Sequence, residues 1–581
     1  MKKYINRNYF WSSLFVNQLV VLGIENVCIS PGSRNTPLTL AFAENKKIKK
    51  YIHVDERSSA FFALGLAKKT NKPVAVVTTS GTAVAELYPA IIEAYQQRIP
   101  LIICTADRPA YLRNTGANQT INQENIFKNH IRDFIDTGLP SISKNKLYAF
   151  AKKIVGTINV STKIDRGPVH INFPFEKPLE PDSFTDEINL NLTDFLIKEK
   201  HEQKLPIKKF SKIINTIKKS TKTIILLGWD NYDNNFFKEL TEFSKRTNIP
   251  ILVDGTSSLR FFSSGLKNII VNHTAFLKNN NGISKLKPDL ILQFGNAPTS
   301  QIMLRFLERS NERRILINEF GDNKSSSKTN CKIVKVNPTE FILELKKYVK
   351  EISIEKEWIK KIITSENKCE TIKSKIINKH PFGLEPDISN RLLEVIPTKS
   401  NLFISNSLPI RDFDFFASKN SKQINVFTNR GASGIDGIIS TASGIAADSK
   451  RKTFLVIGDL AFYHNVTALA TLYQIEIPLV IILINNNGGG IFNMLPVASN
   501  KKYFTGYFTT KQNLNYSNIV KSFNGNYFNP KSWKTFNANL KSAIAKKTFS
   551  VIEIKTDSKK SLELRKKYWT KVKLEIEKND N

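Results

Sequence analysis

Residues 458–490 read GDLAFYHNVTALATLYQIEIPLVIILINNNGGG, and this stretch decides the fold class. The run RKTFLVIGD, which ends in it, and the run PLVIILI each predict a buried strand, and apolar residues at helical spacing predict a helix between them. Two parallel strands joined by a helix bring Asp459 and Asn486 to one carboxyl edge, where open α/β sheets bind ligands. Their oxygens suit Mg²⁺, which also takes phosphate oxygens and water. The stretch predicts half of a metal-diphosphate site, although two ordinary loop ends are the alternative.

The same alternation of strands and helices runs through most of the chain and predicts an α/β fold of three doubly wound parallel-sheet domains. The expected domains cover 1–185, 205–350 and 385–581, and the prolines of GPVHINFPFEKPLEP mark the first boundary. The first and third domains look like similar sheets, so a single pocket is expected between them. Within the first domain we expect an amphipathic helix near the N-terminus and one helix from Thr82 to Tyr95.

The formal net charge of +35 over 581 residues is the one extreme feature of the composition. Such a charge favours nucleic acid or an anionic membrane as a partner. The excess is mostly dispersed lysine, and the lysine runs contain few of the arginine and aromatic residues typical of nucleic-acid surfaces. We therefore predict no nucleic-acid partner, and a basic nucleic-acid-binding protein stays as the alternative from a different class.

Cysteine, histidine and hydropathy patterns exclude several other classes. The four cysteines are far apart and form no CxxC pair, which predicts buried thiols of a reducing compartment. The seven histidines form no HExxH motif, so we expect no zinc site. Asn17 and Gln18 interrupt the apolar N-terminal stretch, and no run reaches the roughly 18 apolar residues of a membrane span. We expect a cytoplasmic protein.

Charged residues at other strand and helix ends are candidates for chemistry. SNSLPIRDF and TNRGASGIDG place Ser407, Arg411 and Arg430 at neighbouring strand ends. Two arginines at such an edge are costly unless an anion pairs with them, although a solvent-exposed role for either is the alternative. Glu56 opens a helix in HVDERSSAFFALGLAKK, where it is either a helix-start carboxylate or an acid/base group. The sequence alone does not separate these two readings.

Taken together, the metal pattern, Glu56 and the three α/β blocks resemble the thiamine diphosphate-dependent decarboxylase and carboligase superfamily. More narrowly, the chain resembles the menaquinone-pathway family of 2-succinyl-5-enolpyruvyl-6-hydroxy-3-cyclohexene-1-carboxylate synthases (MenD). The motifs that carry this resemblance span nearly the whole chain and include SPGSRNTPL, HVDERSSAFFALGLAK, TADRPAYLRNTGANQTINQ, TNRGASGIDG, VIGDLAFYHNVTAL and NNNGGGIF. Leu460 after the aspartate, instead of the superfamily's usual glycine, is characteristic of this branch.

The resemblance implies roles for individual residues. It implies thiamine diphosphate and Mg²⁺ or Mn²⁺, with the metal held by Asp459, Asn486 and the carbonyl of Gly488. Glu56 is implied as the carboxylate that hydrogen-bonds the aminopyrimidine ring, and Ile435 as the apolar support of the bent cofactor. The other implied cofactor and substrate contacts are Ser33, Arg34, Arg108, Gln119, Ser407, Arg411, Arg430, Ile491, Phe492 and Leu495.

The resemblance also implies a reaction and an assembly. The reaction is decarboxylation of 2-oxoglutarate and addition of the remaining unit to isochorismate, and two dicarboxylate substrates account for the arginines. The first and third domains would bind the pyrimidine and the diphosphate in a homodimer or a dimer of dimers, with Glu56 and the metal end from different chains. Where family members carry a Lys-Arg pair, this chain has Gln301 and Ile302. Another carboligase, such as acetohydroxyacid synthase, is the alternative enzyme.

Overall fold

The computed structural model describes residues 6–163, 165–181, 186, 188–198, 211–230, 232–263, 265–278, 286–309, 313–321, 331–377 and 380–578. Within these ranges the chain forms three six-stranded sheets, and the neighbouring strands in each sheet are parallel. Helices flank all three sheets, so the predicted fold class is confirmed. The predicted boundaries near residues 185 and 205 lie outside the described residues.

The first sheet has the strand order β2-β1-β3-β4-β6-β5. Its strands are short and mostly buried, as continuous apolar runs predict for a parallel sheet. The strands are β1 Asn26–Ile29, β2 Lys49–Ile52, β3 Val74–Thr78, β4 Leu101–Asp107, β5 Phe134–Asp136 and β6 Val169–Pro174. The α-helices are α1 Arg7–Val21, α2 Thr36–Glu44, α3 Glu56–Thr70, α4 Thr82–Glu86, α5 Tyr88–Gln97 and α6 Lys144–Thr162.

The central sheet has the order β12-β11-β10-β7-β8-β9, a doubly wound arrangement that grows outward from β7 in both directions. Its strands are β7 Thr223–Leu227, β8 Ile251–Val253, β9 Ile269–Ile270, β10 Leu290–Phe294, β11 Arg313–Asn318 and β12 Lys332–Lys335. The helices of this region are α7 Ser211–Lys219, α8 Asn234–Thr247, α9 His273–Phe276, α10 Gln301–Arg309 and α11 Pro338–Lys346. The lysine-rich connection to the third sheet is the helix α12 Lys356–Ile376.

The third sheet has the order β14-β13-β15-β16-β18-β17, which repeats the order of the first sheet strand for strand. The expected likeness of these two sheets is therefore confirmed. The strands are β13 Asn401–Ile404, β14 Asn425–Phe427, β15 Thr453–Gly458, β16 Leu479–Asn485, β17 Asn526–Phe528 and β18 Ser550–Lys555. The helices are α13 Glu385–Val395, α14 Leu408–Phe416, α15 Ile438–Ala447, α16 Asp459–His464, α17 Ala468–Gln474, α18 Lys501–Phe504, α19 Tyr516–Ser522, α20 Trp533–Ala545 and α21 Ser558–Glu577.

Helices α3 and α15 join the first and third sheets through an unusually close contact. A Cβ on Gly65 of α3 would lie 2.0 Å from the carbonyl oxygen of Thr441, and a Cβ on Gly444 of α15 would lie 2.1 Å from that of Phe62. Only glycine allows two helix backbones to approach this closely. One buried apolar cluster then continues from the first sheet into the third. The two sheets share a core, which fixes their relative position within the chain.

Two predicted helices differ from the structure. The helix predicted from Thr82 to Tyr95 is broken at Leu87, and the second part starts with Pro89 in its first turn, where its missing N–H is tolerated. The N-terminal helix α1 is buried around most of its surface and is not amphipathic. Its buried polar side chains contact other segments of the chain: the amide of Asn8 donates to the carbonyls of Glu176 and Pro178, and the amide of Gln18 pairs with the backbone of Ile197 at 2.9 Å in both directions.

No helix in the described ranges combines the length and apolar character needed to cross a membrane.

Candidate active site

A cavity of about 200 Å³ lies at the carboxyl edge of the third sheet, where β13, β15 and β16 end. The residues that line it all belong to the C-terminal part of the chain, from 385 to 492. Among them are the predicted cofactor, metal and substrate residues Ser407, Ile435, Asp459, Asn486, Gly488, Ile491 and Phe492. The structure thus brings residues 458–490 and two upstream loops together around one cavity.

Asp459 and Asn486 present oxygen atoms within this cavity. Asp459 directly follows β15 and is 3% exposed, and its carboxylate accepts hydrogen bonds from the N–H groups of Gly488 and Leu460, both at 2.8 Å. Burial raises the pKa of this carboxyl to about 6. Asn486 donates from Nδ2 to Glu385 at 2.7 Å, which leaves its Oδ1 buried without a hydrogen-bond partner among the described residues.

These residues fit a divalent cation and a diphosphate. A buried amide oxygen without a partner is costly, and a cation would remove that cost. One carboxylate, one amide oxygen and a nearby backbone carbonyl are hard ligands of the kind that Mg²⁺ takes. Gly488 has φ +137, and a Cβ there would lie 2.1 Å from the carbonyl oxygen of Thr509, so glycine is needed for the loop to fold over the cavity. In the described part of the chain, no cluster of three His, Cys, Asp or Glu side chains offers a competing metal site.

The loops around the cavity are held by buried asparagines. Asn406 donates to the carbonyls of Asn429 and Gly434, both at 2.7 Å. Asn465 donates at 2.7 Å to the carbonyl of Ile435, the residue expected to support the cofactor. Ser407, between β13 and α14, has φ 73, a left-handed backbone that is strained for serine. Strain of this kind persists only where the surroundings enforce it, as these asparagine contacts do.

Arg411 and Arg430 form a cationic pair beside the cavity. Arg411 donates to the carbonyl of Ser407 at 2.5 Å, and Arg430 donates to the amide oxygen of Asn406 at 3.1 Å. Burial lowers the pKa of both guanidinium groups, and the charge of Arg430 lowers that of Arg411 further. Two part-buried cations this close to each other form a surface that attracts an anion.

A second cationic pair lies at the carboxyl edge of the first sheet. Arg34 is buried and donates to the carbonyl of Phe175 at 2.9 Å, while Arg108 is hydrogen-bonded to the hydroxyl of Ser80. Gln119 donates to the carbonyl of the same serine at 3.3 Å. Burial, and then the charge of Arg108, lowers the pKa of Arg34. The nearby Ser33 uses its carbonyl to accept from Thr36 at the start of α2.

Glu56 and Leu495 lie outside the cavity. Glu56 is the first residue of α3 and is partly exposed, and the preceding Asp55 caps the helix by accepting from the N–H of Ser58 at 3.0 Å. Val54 beside it is 77% exposed, which is unusual for an apolar side chain. Leu495 is 46% exposed and follows the cavity wall. The cavity of one chain therefore does not contain that chain's own Glu56.

Gln301 of the central region faces a larger cavity, of about 660 Å³, that Arg430 also lines. The other residues around it come from α5, from α10, from the segments that follow β7, β8 and β10, and from the loop after Arg430. Gln301, an uncharged side chain, is thus close to Arg430, one of the expected substrate arginines.

Two residues on helices of the first sheet's region, α3 and α5, bind the loop that carries Arg430. Glu93 of α5 accepts hydrogen bonds from the N–H groups of Gly431 at 2.9 Å and Ala432 at 2.6 Å. Lys68 of α3 donates to the carbonyl of Thr428 at 2.6 Å and to the side chain of Asn429 at 2.7 Å. The loop is therefore fixed on both sides of Arg430. Sequence reasoning missed both residues because each looks like an ordinary helix-surface charge.

Sequence reasoning also missed a buried ionic cluster at the wall of the cavity. It consists of Glu385, Asp412 and Arg565, and Arg565 pairs with Glu385 at 2.6 Å and with Asp412 at 2.5 Å. Arg565 lies in the lysine-rich segment ELRKKYW, which reads as dispersed surface charge. The single arginine among the lysines is the only signal that the sequence offered.

Comparison with known proteins agrees with this geometry. Residues 11–126 match the family described as thiamine pyrophosphate enzyme, N-terminal TPP binding domain, and residues 415–554 match the corresponding C-terminal TPP binding domain. The solved structure of a thiamine diphosphate-dependent 4-hydroxybenzoylformate decarboxylase from Rhodococcus jostii RHA1 superposes with a TM-score of 0.71 at 14% identity, covering 94% of this chain and 99% of that one. Fold and site together define a thiamine diphosphate-dependent enzyme.

Curated relatives narrow the class further. A Bacillus cytotoxicus protein described as 2-succinyl-5-enolpyruvyl-6-hydroxy-3-cyclohexene-1-carboxylate synthase is 34% identical to this chain, over 99% of this chain and 98% of the relative. The corresponding protein of Oceanobacillus iheyensis is 35% identical over 96% of each chain, and that of Crocosphaera subtropica 34% over 96% of each. The chain belongs to the 2-succinyl-5-enolpyruvyl-6-hydroxy-3-cyclohexene-1-carboxylate synthase family.

Proposed function

We propose that this protein uses thiamine diphosphate and Mg²⁺ or Mn²⁺ to decarboxylate 2-oxoglutarate and to add the remaining four-carbon unit to isochorismate. The product is then the cyclohexene carboxylate named in the family description, an intermediate of menaquinone biosynthesis. The observation that carries the proposal is the cavity lined by buried Asp459 and by Asn486, whose amide oxygen has no hydrogen-bond partner among the described residues. Family membership over the whole chain supports the same reaction.

Bound thiamine diphosphate supplies the carbon nucleophile and the electron sink that decarboxylation requires. Asp459, Asn486 and the carbonyl of Gly488 are the residues that would hold the metal and, through it, the diphosphate. Ile435 and Ile491 line the apolar part of the cavity, with Phe492 beside them. These side chains keep water away from the reacting carbon and shape the space for the substrate.

The two arginine pairs are proposed to bind the substrates. Isochorismate and 2-oxoglutarate each carry two carboxylates, and arginine pairs with carboxylates through two parallel hydrogen bonds. Arg411 and Arg430 donate to Ser407 and Asn406, two residues that line the cavity at the third sheet. Arg34 and Arg108, with Ser33 and Gln119, supply the second set on the first sheet.

We further propose that the active site is completed by a second copy of the chain. Glu56 is absent from the lining of its own chain's cavity. It begins a helix on a surface where Val54 and Ile52 are strongly exposed, which is unusual for apolar residues unless a partner covers them. In a homodimer, Glu56 of one protomer would reach the cavity of its partner and hydrogen-bond the aminopyrimidine ring.

The test is an assay with thiamine diphosphate, Mg²⁺, 2-oxoglutarate and isochorismate. Carbon dioxide and the adduct should form in equal amounts. Replacing 2-oxoglutarate by pyruvate should lower kcat/KM strongly, because pyruvate lacks the second carboxylate that an arginine would bind. Preference for pyruvate would favour an acetohydroxyacid synthase instead. Absence of turnover with every 2-oxoacid would overturn the proposal.

A further inference from the structure

We propose that Glu385 is a positioning residue that turns the side-chain amide of Asn486, so that its oxygen faces the divalent cation. The inference rests on the proposed function, because it concerns the cation that Asp459 and Asn486 would hold. Glu385 begins helix α13 and is 1% exposed, and it lines the same cavity. Its carboxylate contacts both the side chain of Asn486 and Arg565 of the C-terminal helix α21.

Both carboxylate oxygens of Glu385 are engaged. Oε1 accepts from Asn486 Nδ2 at 2.7 Å and from Thr556 Oγ1 at 3.2 Å. Oε2 accepts from Arg565 Nη2 at 2.6 Å. Arg565 is itself held by Asp412, which accepts from Nε at 2.9 Å and from Nη2 at 2.5 Å. A rotation of Glu385 would break an ion pair in the protein interior, so the carboxylate is a fixed acceptor for Asn486.

The orientation of the Asn486 amide decides whether it can bind a cation. An amide has a carbonyl oxygen, which attracts a cation, and an NH₂ group, which repels it. Because Glu385 accepts from the NH₂ group, Oδ1 is the end left free, and it is buried with no hydrogen-bond partner among the described residues. Groups that orient a metal ligand in this way commonly change metal affinity by about 10–100-fold when they are removed.

Glutamine at position 385 should reverse this orientation. Arg565 offers only donors, so the side-chain oxygen of a Glu385→Gln variant would turn toward Arg565. Its NH₂ group would then face the NH₂ group of Asn486, and Asn486 would have to turn over to accept. The repelling end of the amide would then face the cation.

The experiment is a titration of the full-length protein with Mn²⁺ at saturating thiamine diphosphate, in which electron paramagnetic resonance measures the bound and free Mn²⁺. Glu385→Gln should weaken Mn²⁺ binding at least tenfold. Glu385→Asp keeps the charge for Arg565 but is too short to reach Asn486, and it should weaken binding by a similar factor. The control is Glu394→Gln, at the exposed end of the same helix, which should change nothing.

The same change in an Asn486→Asp background separates positioning from a general effect. A carboxylate at position 486 has two equivalent oxygens and needs no orientation, and Glu385 would repel it. Glu385→Gln should therefore strengthen Mn²⁺ binding in that background. An equal loss of affinity in both backgrounds overturns the proposal, as does unchanged affinity of the single Glu385→Gln variant. If Asn486→Ala leaves Mn²⁺ binding unchanged, the cation site itself is wrong, and this failure is distinguishable from the first two.

Discussion

Replacing Glu93 by glutamine should loosen the loop that carries Arg430 without unfolding the protein. The Glu93 carboxylate accepts from two consecutive backbone N–H groups, those of Gly431 and Ala432. A glutamine keeps one acceptor oxygen and turns an NH₂ group against the other N–H. On the far side of the loop, Lys68 keeps its bonds to Thr428 and Asn429, so the loop stays attached.

The magnitude follows from the hydrogen bond that is lost. A hydrogen bond to a charged group contributes about 1.5–3 kcal/mol, and Glu93 is buried at 3% exposure, so solvent does not replace it. Each 1.4 kcal/mol corresponds to about a factor of ten in affinity. If the loop must reorder before Arg430 binds a substrate carboxylate, KM for that substrate should rise roughly 10–100-fold. The affinity for thiamine diphosphate should change little, because Glu93 is not part of that cavity.

The assay compares KM for 2-oxoglutarate and isochorismate with the dissociation constant of thiamine diphosphate in the same preparation. Glu86→Gln is the control, since Glu86 is an exposed glutamate of the neighbouring helix α4. Unchanged KM for both substrates in Glu93→Gln, or an equal effect of Glu86→Gln, would refute the reasoning.

Two further predictions concern stability. Gly65→Ala should lower the free energy of unfolding by about 3 kcal/mol, because its Cβ would meet the Thr441 carbonyl oxygen at 2.0 Å. The control is Gly156→Ala in a helix, where a Cβ has nothing within 4 Å, and this change should be neutral or stabilising. Equal effects of the two substitutions in urea denaturation would contradict this prediction. Burial lowers the pKa of His170 to about 3, below its unfolded value of 6.5, so stability should be lost as pH falls from 6.5 toward 3, by up to about 1.4 kcal/mol per pH unit. His170→Gln should show a shallower loss in denaturation curves measured across that range, and an identical slope would contradict the assignment.

The parts of the fold that the sequence predicted are those with local signals. The runs around Asp459 and Asn486 are continuous and apolar because parallel strands are buried on both faces, so β15 and β16 could be read directly. The break between α4 and α5 was missed although Pro89 signals it, because a proline ends the helix before it and is tolerated in the first turn of the next. The buried face of α1 was missed because the segment that covers it lies far along the chain.

The candidate site was predictable where motif and strand end coincide, and not where distant residues meet. Glu385 and Arg565 pair across a sequence separation of 180 residues, and no local pattern records such a pair. The hydrogen bond between Glu93 and the loop that carries Arg430 likewise joins the first-sheet region to the third-sheet region. The position of Glu56 outside its own chain's cavity was expected only from the family resemblance, because periodicity does not reveal a property of the folded surface.

The central proposal is that one active site takes its metal end from one chain and Glu56 from another. Mixing inactive Glu56→Gln protein with inactive Asp459→Asn protein, under conditions that exchange subunits, tests it most directly. Hybrid dimers would contain one intact site, and random pairing should restore about a quarter of wild-type activity. If each site is built within a single chain, the mixture will stay inactive although hybrids are present.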